Sequence, residues 1–137
     1  MDEREPVQDD EFVYRRIHRI FFDSGVAPAV RREAFRPTHN DTTGLSVFRD
    51  GFLRPEDTLA NVDPAKRNDY YVARLAVAAL RSLGLTVVAD PDPNGPAGHA
   101  LISELSWPAY DADRARWKPI LFELAKLASA AIVHQPS

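Results

Sequence analysis

Apolar positions recur along this chain at two spacings. From Asp69 to Leu83 the residues Val72, Leu75, Ala76, Ala79, Leu80 and Leu83 stand three to four apart, as on one face of an α-helix. Asn68 or Asp69 supplies a cap, and Gly84 sits where a left-handed residue closes a helix, so the pattern predicts a helix over 69–83. A second stripe, Trp117, Ile120, Leu121, Leu124, Leu127, Ala128 and Ala131, predicts a final helix from about Lys118 to about Ile132. Pro119 suits a first helical turn, so a separate brief turn is expected over 111–117.

Shorter runs follow a two-residue rhythm. Phe12 to Phe22 (FVYRRIHRIFF) has no clean apolar face, but its aromatic and β-branched content predicts a strand that ends at Asp23-Ser24-Gly25. Leu45–Arg49, Leu85–Ala89 and His99–Leu105 predict three more strands. Short helices are expected from Pro28 to Phe35 and from Pro55 to about Ala60, and the proline- and glycine-rich 90–98 reads as a loop. The predicted fold is α+β: a single domain over 12–133, a two-layer sandwich of a small mixed or antiparallel sheet with helices on one face.

Charge adds an eleven-residue preface to this plan. Residues 1–11 hold six acids against Arg4, whereas 12–54 hold eight arginines against Asp23, Glu33, Asp41 and Asp50. An acidic disordered tail is therefore expected over 1–11, ahead of an arginine-rich segment that it could cover. The 137 residues are 45% apolar and 27% charged, a composition fit for one core. With no cysteine, disulfides, thiolate metal sites and cysteine nucleophiles are excluded. No apolar run suffices for a membrane span, and MDEREPVQDDE is unlike a secretory signal. A cytoplasmic protein is expected, and the excess of arginine over lysine suggests a GC-rich bacterial source.

Few local motifs carry chemistry. Neither GxxxxGK[ST] nor GxGxxG occurs, and none of His18, His39, His99 and His134 forms a helical metal pair. No metal and no cofactor are expected. From Thr38 to Gly44 every residue is a turn or cap former, and His39 is the residue there that turn chemistry does not require. His39, Asp41 and His99 are the candidate catalytic set, a base with an acid to orient it. Arg15, Arg16, Arg19 and Arg36 are the candidate binding residues. The order Arg15, Ser46, Glu104 loosely resembles arginine-serine-glutamate ADP-ribosyltransferases, but the Ser-Thr-Ser triplet and the paired glutamate end are missing.

AFRP and NDTTGLSVFR, with the early RRI, LRSLGL and DPDPNGPAGHALI, resemble a group of short uncharacterised bacterial proteins sharing that order. The resemblance covers roughly Tyr14 to Ala128 and implies an autonomous bacterial domain, with no activity or site residue attached. The leading functional expectation is a non-enzymatic interaction or accessory module that binds a protein or other anionic partner through its arginine-rich segment. The alternative is a small hydrolase or nuclease using His39, Asp41 and His99. A membrane partner is not expected, and nucleic acid is disfavoured because one basic segment sits in an acidic chain.

Overall fold

The computed structural model describes residues 2–137. Within them lie β1 (Phe12–His18), β2 (Leu45–Arg49), β3 (Tyr70–Ala76), β4 (Val87–Ala89), β5 (His99–Ile102) and β6 (Ile132–His134). They form one open sheet, β4-β5-β2-β1-β3-β6, in which all neighbours run antiparallel. The helices are α1 (Val77–Ser82), α2 (Trp107–Ala112) and α3 (Arg114–Ser129), joined by several 3₁₀ turns. The fold is α+β, and among the described residues no helix is long and apolar enough to cross a membrane.

Strand alternation divides the side chains between two faces. Val13 and Ile17 of β1 point to the first, where Leu45, Val47, Leu75, Ala100 and Ile102 join them in the main core. Val77 and Leu80 of α1, Tyr110 of α2, and Trp117, Leu121 and Leu124 of α3 close over this layer. Each buried Leu or Ile contributes about 2 kcal/mol relative to exposure, which ties the helices to the sheet. On the second face only Tyr14, Phe48 and Val72 are buried together, with Leu53 against them. Its other strand positions mix apolar residues, such as Phe12 and Leu101, with polar or charged ones, among them Arg16, Ser46 and His99.

Several elements differ from the periodicity reading: β1 stops at His18 instead of Phe22, and the helix expected from Pro28 is a 3₁₀ turn over Arg32–Phe35. The helix expected over 69–83 is strand β3 followed by the short α1. Between β1 and β6, β3 buries residues on both faces, Val72 on one and Ala73 and Leu75 on the other. Double-sided burial hides the two-residue rhythm and leaves spacings that also fit a helix. Toward the C-terminus, Ser106 caps α2 and Asp113 caps α3, so α3 starts four residues before Lys118 and contains Pro119 in its second turn. His134, just outside the domain expected over 12–133, belongs to edge strand β6.

The acidic segment expected to be a disordered tail lies against the body over residues 2–11. Val7 is 5% exposed and belongs to the main core. Arg49, fully buried, donates from Nε and Nη2 to the Glu11 carboxylate (2.8 and 2.9 Å) and from Nη1 to the Glu5 and Glu3 carbonyls (2.8 and 3.1 Å). Arg81 donates to the Val7 carbonyl (2.6 Å) and to the Asp9 carboxylate. A buried guanidinium needs acceptors for its five N–H groups, and this segment supplies them. Counting charge captures the acids but misses those carbonyls.

Candidate functional site

β1 pairs with β3 along all of Phe12–His18 but with β2 only at Val13 and Tyr14. β2 instead follows β5 from Leu45 to Phe48. Beyond Tyr14 the two central strands therefore part, and Arg15 reaches across the opening. Its Nη1 donates to the Ser46 carbonyl (2.9 Å) and its Nη2 to the Ala34 carbonyl (3.0 Å), while Nε is buried with no acceptor. Burial pushes this guanidinium down to about 10, with Asp41 pulling upward and Arg16 downward.

Arg16 is held on the second face. Its Nη1 donates to Asn61 Oδ1 (2.9 Å) and the Thr58 carbonyl (3.3 Å), and its guanidinium lies 5.2 Å from the Phe48 ring centre. Burial lowers its pKa as well, against a smaller upward pull from Tyr70. Both arginines, with His18, Asn61 and Tyr70, line a cleft of about 460 Å³. Among the described residues no carboxylate makes an ion pair with either one.

A second constellation adjoins the first through Arg16. On neighbouring strands, Ser46 Oγ lies 2.9 Å from His99 Nε2. His99 Nδ1 lies 2.8 Å from the Asp90 carbonyl oxygen and 3.2 Å from Asp90 Oδ2. Asp90 offers acceptors at both places, so Nδ1 carries the proton of the neutral ring and Nε2 accepts from the Ser46 hydroxyl. The ring is 15% exposed and stands edge-on to Phe48, with centres 5.5 Å apart. Gly98 sets its entry: at φ +79 a Cβ would meet the Arg49 carbonyl and Phe52 at 3.0 Å, so glycine alone fits without strain. Arg16, Ser46, Asp92 and His99 border a cavity of about 150 Å³.

The candidate catalytic set of the sequence is dispersed. His39 lies tilted against Trp107, centres 4.1 Å apart, in a surface recess with Arg36, Tyr110 and Arg114. Asp41 turns inward on its own loop, accepting from Thr38 N (2.7 Å) and Thr38 Oγ1 (3.2 Å). Neither lines the cavity of His99. Among the binding candidates, Arg15 and Arg16 share one cleft, Arg36 stands at the His39 recess, and the exposed Arg19 pairs with Asp69 at 3.4 Å. Arg15, Ser46 and Glu104 do not assemble either, since Glu104 accepts from Thr86 N and Oγ1, both at 2.7 Å.

Asp90 and Asn61 are residues that sequence reasoning did not reach, and it named Ser46 only in the Arg15, Ser46, Glu104 order, without His99. Ser46 alternates with Phe48 on a strand whose bounds were legible, but its partner depends on the β2–β5 register, which no local pattern encodes. Among the described residues no three His, Asp or Glu side chains gather as a metal-binding group. No protein-family model, curated protein or solved structure matches this chain.

Proposed function

We propose that this chain is a binding module that takes an acidic segment of a partner protein into the cleft beside Arg15 and Arg16. One observation carries the reading: two largely buried guanidinium groups share a cleft, and their hydrogen bonds go only to neutral acceptors. Placing a cation in low dielectric without a hydrogen-bonded counter-charge is costly, and Asp41 acts on Arg15 only through space. Two such cations around one opening make a site in which a carboxylate regains what burial removed, through charge-assisted and bidentate hydrogen bonds.

The test is titration of the intact protein with an oligoglutamate peptide, followed by calorimetry or fluorescence. Arg16→Ala is expected to weaken binding about tenfold or more, the value of one charge-assisted hydrogen bond. Arg19→Ala, which removes an exposed and already paired cation, is expected to change it less than about twofold. Equal losses in both variants, or no binding by the parent protein, would remove the cleft from the account.

A further inference from the structure

From the geometry around Ser46 we infer that the chain also carries a serine-hydrolase site: Ser46 is the nucleophile, His99 its general base, and Asp90 positions the imidazole. The substrate class is an ester with a short uncharged acyl group.

The argument begins with direction. A neutral histidine can serve as a base only through its unprotonated nitrogen. Here Asp90 occupies Nδ1 with acceptors at 2.8 and 3.2 Å, which leaves the Nε2 lone pair facing Ser46 Oγ at 2.9 Å. Nucleophile, base and orienting group are thus within reach of one another in the required order. They also face open space, because Ser46 and His99 both border the 150 Å³ cavity. A hydroxyl–imidazole pair serving only to bridge two strands would have no need of that cavity.

Electrostatics narrow the substrate. Arg16 borders the same cavity and commits only Nη1 to protein acceptors, so its remaining N–H groups are available to an oxyanion. Asp92 borders it too, and its carboxylate disfavours an anionic acyl chain. The volume suits a short one.

In the first step Ser46 Oγ bonds to the acyl carbon while its proton passes to His99 Nε2. The carbon–oxygen bond to the alcohol then breaks, and the alcohol leaves with that proton. Water next attacks the acyl carbon and gives a proton to Nε2. The Ser46 ester bond breaks, Ser46 recovers the proton, and a carboxylic acid departs. No oxidant, metal or further reactant enters the balance.

The experiment uses the full chain and two probes. A fluorophosphonate is expected to leave a single adduct on Ser46, located by peptide mass spectrometry, with fluoride as the leaving group. With p-nitrophenyl acetate, Ser46→Ala is expected to fall to the rate of free histidine-containing peptide, and His99→Gln by about 100-fold. Asp90→Asn keeps the carbonyl that holds Nδ1, so it is expected to lower kcat about tenfold or less with KM unchanged. Absence of an adduct, an adduct elsewhere, or parent-rate turnover by Ser46→Ala would overturn the assignment. The adduct on the parent protein decides even if a variant fails to fold. Because Ser46→Ala leaves the Arg15 contact to the residue 46 carbonyl in place, unchanged oligoglutamate binding in that variant separates this site from the cleft.

Discussion

Arg49 is the residue through which the segment 2–11 is tied to β2. Its side chain is fully buried, and Glu11, itself 9% exposed, faces it at 2.8 Å. Removing one member of such a pair strands the other charge. Glu11→Gln is therefore expected to destabilise the protein by about 3 kcal/mol in denaturant titrations near neutral pH. Burial works to raise the Glu11 pKa, but hydrogen bonds from Arg49 and from the Gln8 backbone outweigh it, and the net direction is below the ordinary 4.5. The folded form thus holds its proton less tightly than the unfolded chain, so Glu11 stabilises above pH 4.5 and that contribution fades as pH falls through the lowered value. Comparing the parent with Glu11→Gln isolates it: their stability difference should shrink steadily as the solution is acidified below 4.5. A constant gap would show that the pair does not titrate as described.

At the scale of elements, the segment 2–11 acts as a strap. Charge counting suggests an arm that competes for the arginine groove. The contacts lead elsewhere, to Arg49, to Arg81 and, through the Glu3 carboxylate, to Gly98 N at 2.5 Å. Deleting residues 2–10 is expected to lower the thermal midpoint by several degrees while leaving oligoglutamate affinity unchanged. Tighter binding after deletion would restore the competing-arm reading. Legibility varied for physical reasons. Leu45–Arg49 was read with its observed limits because one face is apolar and Asp50-Gly51 ends it. Asp69–Leu83 has the spacing of a helix because β3, buried on both faces, loses its alternation. Arg15 and Arg16 were visible as charge, whereas the Ser46–His99 contact needs two strands set in register across 53 positions of chain.

For the whole molecule, the formal charge of −3 opposes an acidic ligand at long range, whereas the binding proposed for Arg15 and Arg16 would act only at contact. Salt screens exposed charges strongly and half-buried ones weakly. Raising ionic strength from about 50 to about 300 mM is therefore expected to weaken oligoglutamate binding less than about fivefold. A steeper fall would move the interaction to exposed arginines such as Arg19 or Arg36.

The parting of β1 from β2 has a mechanical side. Through its backbone the sheet is two leaves of three strands, β4-β5-β2 and β1-β3-β6, riveted at Val13–Arg49 and Tyr14–Phe48. A load pulling the leaves apart concentrates on those two rivets, whereas the β1–β3 and β2–β5 junctions share shear along longer ladders. Among the four inner strands, that seam would part first.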